Sequence, residues 1–297
     1  MPIRLIAIDI DGTLLDSKFK VPEANRRAIS EAVDRGIEVA LVTGRRFDFA
    51  KPIADEVGSP LTMIVNNGAL VKSSDGITRL RHLLPAATAL DVLQATPQYR
   101  TGTAVVFDRP RAEQVIYEHV DWNDPLRRGY YERNREYIGE VSPLEACVTE
   151  DPIVVMYLGS VNVMREAATL LRSLSTTLRT PGAESPVLAK ASIACRFSLA
   201  VTEYPTRDFA MLDVAHPSVS KGATLAEWAA LRGYHRDETM AIGDNHNDRE
   251  MLEFAGLPVI MANSVDELKT TGWRETLSND EGGVAAAIEA YALGGDR

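Results

Sequence analysis

The chain has only two cysteines, Cys147 and Cys195, in 297 residues. They are too few and too isolated for a disulfide framework, and no Cys-x-x-Cys pair offers a thiolate metal site. No apolar run reaches the roughly 20 residues that a membrane helix needs. No charged leader followed by an apolar stretch opens the chain. Blocks of lysine and arginine are missing too, and 32 basic against 42 acidic residues leave a net charge of -10. That balance argues against nucleic acid as a partner. Low-complexity tracts and internal repeats are also lacking. The expectation is a cytoplasmic globular chain, long enough to bury a large core and to form two domains.

What is present is organised around Arg4 to Thr13. Leu5, Ile6, Ala7, Ile8 and Ile10 make a nearly continuous apolar run, the pattern of a strand buried on both faces of a parallel sheet. Asp9 and Asp11 sit two residues apart at its end, and Gly12 follows. Side chains two apart on an extended strand point the same way. Two like charges so close imply a metal ion, a shared proton or a cationic partner. A solvated Asp-Gly turn is the plainer alternative.

Further along, strand and helix signals alternate. Leu14 to Lys20 reads as a hairpin-like flap, and Pro22 opens a helix through Arg35 that Gly36 stops. Ile37 to Val42 is a second buried strand, ending in Thr43-Gly44-Arg45. Ligands bind at this edge of open α/β sheets, although Thr43 could equally cap a helix. A helix over 47–57 and a strand over 61–65 lead to Asn66-Asn67-Gly68-Ala69, by default a turn. From about Leu84 the punctuation by proline thickens. Strands are expected at Thr103 to Phe107, Ile153 to Leu158, Phe197 to Thr202 and Phe209 to Val214, with a helix from Asn162 to Leu178. This mixture reads as an α+β insertion. Within it, Tyr117 to Tyr137 is rich in aromatics and arginines, either surface with local core or an anionic pocket.

Ser220-Lys221-Gly222 then precedes a helix. A lysine at a helix start opposes the helix dipole, so Lys221 implies an anionic partner. A buried strand from Thr239 to Ile242 ends in Gly243-Asp244-Asn245-His246-Asn247-Asp248, whose hard oxygen ligands suit Mg²⁺. Asp244 is the expected direct ligand, with Asp248 and Asn247 positioning it or a bound water. Strands at Pro258 to Ala262 and Thr276 to Ser278 and a helix from Val284 complete the expected sheet.

Asp9-Ile10-Asp11-Gly12-Thr13, Thr43-Gly44-Arg45, Ser220-Lys221-Gly222 and the Gly243 to Asp248 segment resemble, in order, the four motifs of the haloacid dehalogenase (HAD) superfamily. Asn67 with Gly68 and Ala69, Met261 to Asn263, and Asn279 to Val284 resemble its Cof-type branch. The resemblance implies an α/β fold, a Rossmann-like doubly wound parallel sheet over 1–84 and 216–297, with an inserted α+β cap over 85–215 that sets substrate specificity.

It also implies a phosphohydrolase acting through an aspartyl-phosphate. Asp9 would be the nucleophile, Asp11 the general acid and base, and Lys221 the cation offsetting the charge of Asp9 and the phosphoryl group. Thr43, Gly44, Arg45, Asn67 and Asn247 would hold phosphate or substrate, and Asp9, Asp11, Asp244 and Asp248 would surround Mg²⁺. The expected partner is a small phosphorylated metabolite such as a sugar phosphate, with neither nucleic acid nor membrane, and the chain is expected as a monomer or small homo-oligomer. A phosphomutase of related fold and a non-catalytic phosphometabolite-binding regulator are the alternatives.

Overall fold

The computed structural model describes residues 2–177 and 196–294. Cys195 and Leu178, the last residue of one expected helix, lie outside them. In chain order the strands are β1 (Leu5–Asp9), β2 (Glu38–Val42), β3 (Thr62–Val65), β4 (Leu70–Ser73), β5 (Thr78–Arg81), β6 (Thr103–Val106), β7 (Val115–Tyr117), β8 (Ile138–Glu140), β9 (Val154–Gly159), β10 (Ser198–Tyr204), β11 (Phe209–Ala215), β12 (Thr239–Gly243), β13 (Leu257–Ile260) and β14 (Arg274–Glu275). The helices are α1 (Glu23–Asp34), α2 (Phe47–Val57), α3 (Ala86–Ala95), α4 (Arg128–Asn134), α5 (Val161–Thr177), α6 (Lys221–Leu231), α7 (Arg249–Phe254), α8 (Asp266–Lys269) and α9 (Gly283–Tyr291). Met1–His82 with Val219–Arg297 forms one compact unit and Leu83–Ser218 the other.

The first unit carries an eight-stranded sheet in the order β14-β13-β12-β1-β2-β3-β4-β5. β14 through β3 run parallel, and β4 and β5 return as an antiparallel hairpin. β1 lies between β12 and β2, which is why its apolar run is unbroken: both faces are covered. Leu5 and Ala7 share a core with Leu225 and Ala229 of α6 and Met251 and Leu252 of α7. The alternate residues Ile6 and Ile8 point the other way and are equally buried. Expectation and structure agree on an α/β fold with a Rossmann-like parallel core.

Three details differ. Leu14 to Lys20 is a compact turn rather than a strand hairpin, because the Asp16 carboxylate accepts the backbone N–H of Lys18 and of Lys20, both at 2.9 Å. The last strand is Arg274–Glu275, not Thr276 to Ser278, because Ser278 opens the next turn in a reciprocal cap with Glu281. The β4–β5 hairpin has no counterpart in the sequence reading.

The second unit is a six-stranded sheet, β10-β11-β9-β6-β7-β8, antiparallel except for β7 with β8. Its main core joins Leu93, Val105, Tyr157, Ala168, Leu171 and Leu212 among others, from strands β6, β9 and β11 and helices α3 and α5. The aromatic segment packs as local core: Tyr117 and Tyr131 are fully buried and meet edge-to-face with centroids 5.3 Å apart. Arg127 donates its Nε–H to the Leu158 carbonyl at 2.9 Å. Asp213 on β11 is the odd member of this unit. Its Oδ1 is closed to solvent without a hydrogen-bond partner among the described residues, and burial pushes its carboxyl up to about 7.

Candidate active site

The site is built on strand tips within the first unit. β1 ends at Asp9, and the chain then folds sharply through Gly12, whose φ of +85° lies in the left-handed region that glycine tolerates. Space requires glycine as well, since a Cβ there would stand 2.5 Å from Asp244 Oδ2. The turn brings Thr13 into the interior, where its hydroxyl donates to Asp244 Oδ1 at 2.7 Å. Asp244 itself follows β12, the strand beside β1.

Asp248 closes the loop after β12. Its Oδ2 accepts the backbone N–H groups of Asp244 and Asn245, each at 3.0 Å. Its Oδ1 accepts from Lys221 Nζ at 2.6 Å, and the same ammonium donates to Asp9 Oδ1 at 2.5 Å. Lys221 reaches this position as the first residue of α6, whose start is fixed by Ser220 Oγ accepting the Ala223 N–H. A helix N-terminus disfavours a lysine, and two buried carboxylates outweigh that.

Asp9, Asp244, Asp248 and Lys221 are all buried, so three carboxylates face one cation out of water. Burial first, and then the charge of Asp248, raises the Asp9 carboxyl well above the ordinary range, against the pull of Lys221. Asp244 rises to about 6, chiefly through burial, while the Thr13 hydrogen bond opposes the rise. Burial alone would lower Lys221, but Asp9 and Asp248 hold it above its ordinary value. One oxygen from each of Asp9, Asp244 and Asp248 lies within 4.8 Å of the others. That surplus of hard oxygen donors fits a hard divalent cation.

Asp11 is not in this cluster. Its half-exposed carboxylate is gripped bidentately by Arg45, Nε to Oδ2 at 2.8 Å and Nη2 to Oδ1 at 2.5 Å. Thr43 is buried at the tip of β2, and its hydroxyl accepts the Arg45 N–H at 3.1 Å. It does not cap α2, whose preceding residue is Arg46. Gly44 is exposed beside Asn67, and a Cβ there would stand 2.9 Å from Asn67 Oδ1. Asn66 and Asn67 both have positive φ, which asparagine tolerates better than most residues. Gly68 packs so tightly on α6 that a Cβ would meet the Ser220 carbonyl at 2.5 Å. The Asn-Asn-Gly turn thus seats the helix that carries Lys221. Asn247 and His246 are exposed on the loop after Asp244.

The structure therefore brings Asp9, Asp244, Asp248 and Lys221 together, sets Thr43, Gly44, Arg45 and Asn67 along neighbouring tips, and leaves the Asn247 side chain outside the buried cluster. Thr13 had no role in the sequence reading, although it lies inside the first motif. Its hydroxyl could only be assigned once Asp244 was seen beside it.

A central parallel strand ending in a buried aspartate, neutralised by a lysine from one helix and flanked by carboxylates from the next strand tip, defines an HAD-like hydrolase. Solved structures share the fold: a haloacid dehalogenase-like hydrolase from Bacteroides thetaiotaomicron superposes with a TM-score of 0.76 at 22% identity, over 97% of this chain and 99% of that one. The family model for haloacid dehalogenase-like hydrolases matches residues 6–166 and 190–288. The chain belongs to that family.

Among curated relatives, the putative phosphatase YxeH of Bacillus subtilis is 29% identical over 309 residues, covering 98% of both chains. The 5-amino-6-(5-phospho-D-ribitylamino)uracil phosphatase YwtE of the same species is 27% identical, over 98% of this chain and 99% of its own. The chloroplastic endoribonuclease YBEY of Arabidopsis thaliana is 28% identical, but the chain spans only 46% of its length. The phosphatase names agree with the phosphoric monoester hydrolase expected from the sequence. Among the described residues no helix is long and apolar enough to cross a membrane.

Proposed function

We propose that this chain hydrolyses phosphomonoesters of small metabolites through a phosphoryl group carried on Asp9. The observation that supports this most directly is the state of Asp9. One oxygen is held by Lys221, and the other has no hydrogen-bond partner among the described residues. That second oxygen attacks phosphorus in line, the phosphorus–ester oxygen bond breaks, and Asp11 gives its proton to the leaving alcohol. Water then attacks the aspartyl-phosphate, Asp11 takes the water's proton, and phosphate leaves Asp9.

A phosphate dianion approaching a carboxylate needs positive charge. Lys221 supplies one fixed cation, and the Thr43 hydroxyl and the backbone N–H groups near Ile10 and Gly44 offer donors for the phosphoryl oxygens. Asp248 has both oxygens committed, so Asp9 and Asp244 are the residues that would hold Mg²⁺, with Asp248 fixing Lys221 and the loop. Bound there, Mg²⁺ would supply charge neutralisation for the phosphoryl group. Arg45, paired with Asp11, and Asn67, beside Gly44, lie where they would meet the substrate, and residues 83–218 would choose which alcohol is accepted.

Phosphate release from p-nitrophenyl phosphate, followed by a screen of phosphorylated metabolites, tests the reading. Turnover should stop on exhaustive chelation and return with Mg²⁺. Undiminished release after chelation would overturn the metal assignment, and no release with any phosphomonoester would overturn the activity.

A further inference from the structure

The loop from Ile10 to Ser17 follows the nucleophile directly and carries Asp11 near its entry and Thr13 on its inner side. Locally it closes through Leu15 N–H to the Ile10 carbonyl at 3.0 Å and Asp16 N–H to the Lys20 carbonyl at 2.9 Å. The remaining backbone groups of such a sharp turn need partners from elsewhere. Asn25 of α1 donates to the Leu14 carbonyl at 3.2 Å, and two asparagines far along the chain take others. Asn263 donates its Nδ2–H to the Gly12 carbonyl at 2.8 Å. Its Oδ1 in turn accepts the backbone N–H of Asn279 at 2.9 Å. The side chain of Asn279 donates to the Leu15 carbonyl at 2.8 Å. Asp280 completes the row by accepting the Ser17 N–H at 2.7 Å.

We infer that Asn263 and Asn279 are positioning residues that set the path of the Gly12–Leu15 loop and so aim Asp11. The inference rests on the reading of Asp11 as the acid. Neither asparagine reaches the buried carboxylates; each acts through a loop carbonyl. The Asn263 carboxamide is used at both ends, its donor on the loop and its acceptor on the backbone of Asn279, whose own side chain grips Leu15, so the two form a relay rather than two separate contacts. Asn263 is exposed and Asn279 partly so, and an exposed hydrogen bond contributes little to stability. Their effect therefore falls on geometry. A carbonyl released at Gly12 lets the one left-handed residue of the turn relax, and Asp11 is its immediate neighbour.

A misaimed acid has a signature that a loosened fold lacks. Good leaving groups depart without a proton, whereas poor ones need it. The test measures kcat/KM with p-nitrophenyl, 4-methylumbelliferyl and phenyl phosphate, in order of worsening leaving group. It compares the unaltered chain with Asn263→Ala, Asn263→Asp, Asn279→Ala and Asp11→Asn, and follows thermal melting of each. The Asn263→Asp side chain keeps the acceptor for Asn279 but loses the donor to Gly12. Both Asn263 variants and Asn279→Ala should lose about tenfold or more on phenyl phosphate, little on p-nitrophenyl phosphate, and melt near the unaltered chain. Equal losses across the series, or no loss, while Asp11→Asn steepens the dependence, would overturn the inference. If Asp11→Asn itself leaves the dependence unchanged, the acid assignment fails instead, and this inference falls with it.

Discussion

The Lys221 ammonium stands 2.5 Å from Asp9 Oδ1, with both side chains almost wholly closed to water. Such a pair is costly to desolvate and costlier to break, because the surviving carboxylate is then buried and unpaired. Lys221 also bridges to Asp248. Lys221→Met should therefore lower stability by about 3–5 kcal/mol and abolish phosphate release. Adding Asp248→Asn should recover part of the stability and none of the activity. Urea unfolding and p-nitrophenyl phosphate turnover check both halves. A stable Lys221→Met variant that still turns over would show the lysine to be dispensable.

Asp9 and Asp11 are expected to fail differently. Asp9→Asn should form no phosphoenzyme from any substrate. Asp11→Asn should still accept a phosphoryl group from p-nitrophenyl phosphate, whose leaving group needs no proton, and then stall without a base for the hydrolytic water. Stopped-flow absorbance should show a burst approaching one nitrophenolate per site, followed by a slow rate. A burst from Asp9→Asn and none from Asp11→Asn would reverse the two roles.

Asp213 makes stability depend on pH. Its carboxyl lies at about 7 in the folded chain against an ordinary 3.8. Between those values the folded state keeps a proton that the unfolded state has lost, so the carboxyl's contribution falls as pH rises through this window. Asp213→Val should gain roughly 1–3 kcal/mol at about pH 8, the usual cost of an unsatisfied buried polar group, and much less near pH 4. Urea midpoints at the two pH values measure it. An equal gain at both would place the effect in packing rather than in the charge.

The strand tips were legible because each motif is local: an apolar run, then a polar residue and a glycine within a few positions. The same runs marked strands of a buried parallel sheet, and its Rossmann-like winding came from the family resemblance. Contacts that join distant segments were not legible. Arg45 gripping Asp11 joins residues 34 positions apart, and Asn263 on the Gly12 carbonyl joins residues 251 apart. Neither residue advertises its partner. Asn263 and Asn279 stood out only by resemblance, with nothing local to say what they bind. The β4–β5 hairpin escaped because its strands are four residues each and β5 alternates half-buried with exposed positions. The aromatics and arginines of 117–137 allowed either surface with local core or an anion pocket, and Tyr117 and Tyr131 pack as local core.

β1 is registered residue for residue against β12, Ala7 against Ala241. A ribosome delivers the first of these strands long before the second. Through most of synthesis the central strand of the future sheet has β2 on one side and an open edge on the other, and open edges invite wrong partners. Residues 83–218 emerge complete in the interval and hold every strand of their own sheet. The inserted unit can finish folding while its host waits. The order of birth along the chain is the reverse of the order in which the two sheets can close.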